Sequence, residues 1–288
     1  MNNKVKGFVL GILAAIFYGT NPLGTLQLYA DGFSSGMVLI YRYLFATLML
    51  GAVMLLRRED FRIKWGHAIR MAVLGAFFSL SSMMLYLSFR YMPAGIASTL
   101  LFVYPIMTAV LMAALYHEHI TWSTTIAIAL ALSGVAMLHQ GDGGGLNTTG
   151  FVLVMLSSLL YAMYIISVNQ LKISMSPTKF AFWVLFFGTI YMVIFTLITG
   201  APFKMLQTPM QWVWALQIAL MPTVLSLFMM NISIKLIGST PASIMGALEP
   251  VTAVVIGVLV YHETFTIQLA IGIVLILCGV TVIVARKK

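Results

Sequence analysis

The sequence predicts an all-α integral membrane protein, with ten transmembrane helices arranged as two inverted-topology five-helix repeats. Three observations carry that expectation. Of the 288 residues 61% are hydrophobic and only 8% charged, with a mean hydropathy of +1.02. Soluble domains carry roughly a quarter charged residues, so too little polar surface exists here to face water. Uncharged or nearly uncharged runs long enough to cross a bilayer, about 20 residues each, recur ten times. Finally, the chain repeats itself: Tyr116-His117-Glu118 returns as Tyr261-His262-Glu263, and Pro105 as Pro250, both 145 residues later.

Taken in order, the runs fall near 7–29, 35–56, 68–90, 93–115, 121–138, 150–170, 180–200, 212–235, 240–260 and 265–285. The first follows Lys4 and Lys6 as a signal peptide would. It stays uncharged to Ala30, longer than the usual apolar segment of about 7–15 residues, and no clear small-x-small cleavage site follows. A retained first span is therefore expected.

With the N-terminus inside, the inner segments hold Lys4, Lys6, Arg57, Arg58, Arg62, Lys64, Arg70, Lys172, Lys179, Lys235, Arg286, Lys287 and Lys288, and the outer ones only Arg90 and Lys204. The excess of basic residues marks the cytoplasmic side. Both termini are thus expected in the cytoplasm of a cell whose inner membrane holds the protein. The net charge of +9 is explained by this orientation, and a nucleic-acid partner is not expected. The lone Cys278 permits no intrachain disulfide.

The one break in composition is Gln140–Thr149, with Gly141, Gly143, Gly144 and Gly145, a flexible linker. It separates a first repeat, 1–139, from a second, 150–288. Because each holds an odd number of spans, the second enters the bilayer from the opposite side, as in secondary transporters whose sites lie at the midplane between repeats. Further matches support the duplication. Gly134-Val135 pairs with Gly279-Val280, Ser88 with Ser233 and Arg90 with Lys235; at a spacing of 143, Gly7-Phe8-Val9-Leu10 pairs with Gly150-Phe151-Val152-Leu153 and Tyr18 with Tyr161. Gly7, Gly11, Ala15 and Gly19 recur every four residues, and Gly150, Ser158 and Ala162 lie on the equivalent face of the sixth run. Such faces let helix backbones approach closely.

These features together resemble the EamA-type transporters of the drug/metabolite transporter superfamily. The residues that carry the likeness are Glu249-Pro250, Tyr104-Pro105, Glu118, Glu263, Gly134-Val135, Gly272, Gly279-Val280 and Arg42-Tyr43. The resemblance covers essentially the whole chain. It implies a central cavity lined by helices 1, 3, 4, 6, 8 and 9 and transport that is often outward. It is a poor guide to substrate.

Glu249 is the only acid well inside an apolar run. A charge at bilayer depth costs at least about 2.5–3.5 kcal/mol, so such residues usually face a cavity. Glu249 is a candidate proton carrier or a carboxylate for a substrate amine, against the blander reading of a neutral Glu bonded to a broken helix. Pro105 and Pro250 each remove a backbone donor from the carbonyl four residues earlier, Leu101 and Gly246 respectively. Kinks are expected there in the fourth and ninth helices. Arg42 could attract a substrate carboxylate; snorkelling to the interface or clamping loop carbonyls is the more ordinary role. A polar-aromatic set (Tyr18, Asn21, Tyr86, Tyr104, Tyr161, Tyr164, Asn169, Trp183, Asn231) suits a partly apolar ligand. Tyr86 and Asn231 hold equivalent repeat positions.

His117-Glu118-His119 lacks the His-Glu-x-x-His spacing of a zinc site, Gly141–Gly145 lacks the trailing Lys of a phosphate loop, and no nucleophile–base set is present. No cofactor, metal or enzymatic activity is expected. The partners expected are lipid, a small-molecule substrate and, as a candidate, protons. Monomer and dimer both stay open. The function expected is a secondary transporter of a small organic metabolite, plausibly an amino acid or related amphiphile. Multidrug efflux and a membrane scaffold without flux are the alternatives.

Overall fold

The computed structural model describes residues 3–117, 122–139, 147–171, 175–237, 242 and 245–286. Among these the chain is helical, with no strand. Seven helical stretches are long and apolar enough to cross a membrane: Asn3–Ala30, Ser35–Leu56, Trp65–Ser88, Ala94–Tyr116, Thr148–Val168, Pro177–Ile198 and Pro209–Ile237. Three shorter apolar helices, Thr125–Met137, Leu248–Tyr261 and Ile267–Val282, lie in the remaining runs. The surface away from the bundle is apolar, with Leu48, Leu55, Leu132, Ile198 and Val274 all exposed, as a lipid-facing surface requires. The protein is a multi-pass membrane protein.

Several stretches are broken at a proline. The first divides at Thr20 into α1 (Asn3–Gly19) and α2 (Asn21–Ala30), with Pro22 in the first turn of α2. After α3 (Ser35–Leu56) and α4 (Trp65–Ser88), the fourth divides at Phe102–Val103 into α5 (Ala94–Leu101) and α6 (Tyr104–Tyr116), with Pro105 opening α6. Proline lacks an N–H and is tolerated at a helix start, where no intrahelical acceptor is required of it. The carbonyl that Pro105 leaves without a donor, on Leu101, receives the Ser158 hydroxyl at 3.2 Å.

The remaining elements are α7 (Trp122–His139), α8 (Thr148–Leu171), α9 (Pro177–Ile198), α10 (Pro209–Ala219), a π-turn over Leu220–Leu225, α11 (Ser226–Ile237), α12 (Leu248–Tyr261) and α13 (Ile267–Arg286). Pro222 lies within the π-turn, and Pro250 in the first turn of α12. The first two residues of the repeated tripeptide also repeat their conformation. His117 and His262 both adopt the left-handed region at φ 54° and end α6 and α12, so each helix closes in the same left-handed C-cap.

Packing runs across the sequence rather than along it. The main pairs are α7 with α13, α4 with α8 and α9, α1 with α11 and α12, α3 with α9 and α10, and α8 with α5 and α6. The small residues of α1 make this possible. A β-carbon on Gly7 would meet Ile237 at 2.5 Å, and one on Gly19 would meet the Glu249 backbone oxygen at 2.6 Å. The Gly-rich residues 140–146, Glu118 and the Asn169 side chain lie outside what is described.

Candidate functional site

The breaks in α1/α2, α5/α6, the π-turn and the start of α12 bring backbone ends together inside the bundle. Two cavities lie there. The larger, about 250 Å³, is walled by Tyr18, Arg42, Phe78, Tyr161 and Tyr164, then Phe180, Ala181, Val184 and Leu185 of α9. Pro222, Thr223, Ser226, Leu227, Met230, Asn231 and Glu249 complete it. The smaller, about 70 Å³, is lined by residues that include Asn21, Ser98, Leu101, Phe102, Tyr104 and Pro250. Tyr18, Tyr161 and Glu249 belong to both walls, so Glu249 stands at the junction. Beyond the helices that the resemblance implied, α3 and α9 contribute Arg42 and the Phe180–Leu185 face.

Six of the residues singled out from the sequence, Tyr18, Arg42, Tyr161, Tyr164, Asn231 and Glu249, thus share one chamber. Tyr104 faces the smaller cavity and meets Tyr161 edge-on, with ring centroids 4.6 Å apart. Tyr86 is fully buried and lines neither cavity, but bonds the wall residue Arg42 from behind. Pro105 and Gly246 line neither cavity. Trp183 packs among Phe182, Phe186 and Phe187 instead.

Arg42 neither snorkels nor clamps a loop. It is 2% exposed, and its Nε donates to Thr223 Oγ1 and its Nη1 to Tyr86 Oη, both at 3.0 Å. Tyr86 passes its own proton to Asn21 Oδ1 at 2.9 Å. The loop-clamping role falls to Arg90 and Lys204, the two basic residues expected in the outer segments. Arg90 donates to Phe33 O at 2.8 Å, and Lys204 to Asp31 O at 2.5 Å. Buried oxygen acceptors on α4 and the π-turn hold Arg42 inward, a pattern that spacing in the sequence does not reveal.

Glu249, in the first turn of α12, has no hydrogen-bond or ion-pair partner among the described residues. Among the described residues the cavity therefore presents a guanidinium bonded to neutral oxygens and a carboxyl group without a partner, and the two do not bridge each other. Buried charges are normally paired because desolvating an isolated ion is costly. A ligand bearing the complementary charges completes both. Among the described residues no cluster of His, Cys, Asp or Glu is suited to a metal.

A second carboxylate works differently. Glu263, just beyond α12, accepts from the backbone N–H of Ala94 at 2.7 Å and of Gly95 at 3.3 Å, at the start of α5. Gly257 leaves room for it, since a β-carbon there would touch the carboxylate. Burial raises its pKa above the ordinary 4.5, against the pull of those two hydrogen bonds. Nearby, Tyr261 Oη donates to Leu23 O at 2.5 Å, tying α12 to α2.

Comparison with known proteins agrees with this architecture. An "uncharacterized transporter" of Clostridium kluyveri is 24% identical over 303 residues, covering 95% of this chain and 91% of that protein. An "uncharacterized transporter" of Synechocystis sp. is 28% identical over 71% of this chain and 63% of its own length. A "probable terminal-alkyne amino-acid exporter" of Streptantibioticus cattleyicolor is 26% identical over 35% of this chain and 34% of its own. One protein crystal structure superposes with a TM-score of 0.70 at 15% identity, over 98% of this chain and 97% of the other, a likeness of fold. The profile of the EamA-like transporter family matches residues 5–139 and again 148–285, and the chain belongs to that family.

Proposed function

We propose that this protein is a secondary transporter that exports a small zwitterionic metabolite, an amino acid or related amphiphile, across the inner membrane by alternating access. The observation that carries the reading is the unbridged pair in one cavity. Arg42 takes a carboxylate, Glu249 an ammonium, and the Tyr161, Tyr164 and Phe78 rings take an apolar side chain. The volume supports a metabolite over a large drug, since about 250 Å³ lies below the usual range of roughly 300–1,000 Å³ for drug-sized pockets. The amino-acid exporter among the relatives points the same way.

The reading includes ten spans in two inverted repeats, 1–139 and 150–288 joined by 140–149, with both termini cytoplasmic. Two things support it. The family profile matches twice, and the helix contacts come in exchanged pairs: α1 meets α11 as α8 meets α4, and α1 meets α12 as α8 meets α5 and α6. The halves would rock about the cavity, with the breaks at Pro105 and Pro250 as gates. The smaller cavity beside Glu249 supports a role for protons as the coupling ion.

Counterflow in proteoliposomes tests it. Radiolabelled amino acids are expected to exchange, and Glu249→Gln to abolish exchange of amino acids while sparing their N-acetyl derivatives. A pH gradient is expected to drive flux in the wild type alone. Competition by unrelated lipophilic cations and not by amino acids would establish multidrug efflux instead. No flux for any solute would leave a scaffold.

A further inference from the structure

The π-turn of the eighth apolar run has a chemistry that the sequence reading left aside. Pro222 has no N–H, so Ile218 O, four residues earlier, loses its regular helical donor. The helix widens over Leu220–Leu225, a distortion frequent at functional sites. Thr223 Oγ1 fills the gap and donates to Ile218 O at 3.0 Å. A hydroxyl has one proton. With that proton committed to Ile218 O, the oxygen can offer Arg42 only its lone pairs, and Arg42 Nε donates to it at 3.0 Å.

The other side of the guanidinium is held in a like manner. Nη1 donates to Tyr86 Oη, whose proton is committed to Asn21 Oδ1, at the break that opens α2. The break at Pro222 thus supplies one oxygen of fixed polarity to the buried arginine, and Asn21, at the break before Pro22, fixes the polarity of the other, Tyr86 Oη. Arginine's donors form a rigid planar fork, so two fixed acceptors determine the plane of the whole group.

We propose that Thr223 is the positioning residue for Arg42: oriented by the carbonyl that Pro222 orphans, its hydroxyl holds the guanidinium in the plane that meets the solute's carboxylate. This rests on the reading of the cavity as a zwitterion site. A merely structural Thr223 would satisfy Ile218 O and leave Arg42 chemistry untouched.

The test uses the full chain purified in detergent, as wild type, Thr223→Ser and Thr223→Val. Phenylglyoxal, which modifies guanidinium groups, is applied alone, and modification of Arg42 is followed by peptide mass spectrometry. It is repeated with L-phenylalanine or L-phenylalaninamide as protectant, and melting curves verify folding. Thr223→Val is expected to raise the Arg42 modification rate several-fold and to weaken protection by L-phenylalanine about tenfold, the scale of one hydrogen bond to a charged group. Thr223→Ser is expected to behave as wild type. Equal Arg42 rates in all three folded proteins would overturn the proposal, as would a loss shared equally by Ser and Val. Unequal rates without protection of the wild type by L-phenylalanine would uphold the positioning of Arg42 and defeat the zwitterion reading.

Discussion

Tyr86→Phe removes one oxygen and tests the reasoning about the buried network. The ring's surroundings stay: Phe89 stacks at 5.7 Å between centroids, and Arg42 lies 5.6 Å over the ring. What goes is the acceptor for Arg42 Nη1 at 3.0 Å and the donor to Asn21 Oδ1 at 2.9 Å. A hydrogen bond to a charged group is worth about 1.5–3 kcal/mol, and a neutral one about 0.5–1.5 kcal/mol. No water layer lies beside a fully buried side chain to replace them, so the loss is expected at about 2–4 kcal/mol. Tyr43→Phe is the control. Tyr43 is equally buried, but among the described residues its hydroxyl meets no partner at normal hydrogen-bond geometry, so its removal is expected to cost far less. Denaturant unfolding of the two purified variants in the same detergent measures both. Equal losses for Tyr43→Phe and Tyr86→Phe would refute the claim that the Asn21–Tyr86–Arg42 chain stabilises the bundle.

Gly19→Ala places a β-carbon 2.5 Å from Thr252 Cβ and 2.6 Å from Glu249 O, so α1 and α12 must separate beside the cavity. A destabilisation of about 1–3 kcal/mol is expected. Gly66→Ala, in α4 with nothing within 4 Å of the new atom, is expected to leave the melting temperature unchanged or to raise it slightly, since alanine is the better helix former. Glu263 should give the protein a pH dependence of definite sign. Its pKa is raised in the folded contact, so its stabilisation is present below the unfolded value near 4.5 and is lost as pH rises through the raised value. Melting temperatures of the wild type and Glu263→Gln are therefore expected to diverge as pH rises through that window, the wild type falling relative to the variant. Parallel curves would show that the carboxyl of Glu263 is no more buried than it is in the unfolded chain.

Much of the architecture was legible because the bilayer imposes it. Apolar length is a linear property of a chain, and so is a repeated tripeptide. Tyr116-His117 and Tyr261-His262 declared their equivalence in the sequence, and they share a left-handed cap in the structure. Glu249 could be nominated because one acid in an apolar run stands out in any reading. Pro222 was equally visible, but its effect was not. A proline's consequence depends on which donor replaces it, and here that donor is the neighbouring Thr223.

The sequence by itself determined the solvent, the helical class, the family resemblance and the presence of one carboxyl at depth. These follow from composition and spacing, which act along the chain. Only the tertiary structure decided that Arg42 turns inward, that Tyr86 supports it from behind, and that Thr223 and Glu249 share a chamber. Each depends on acceptors and walls drawn from separate helices, Arg42 and Tyr86 being 44 residues apart in the chain and Arg42 and Thr223 181. The direction of a buried guanidinium is set by whichever oxygens the packed helices leave unpaired, and that is fixed only when the helices meet.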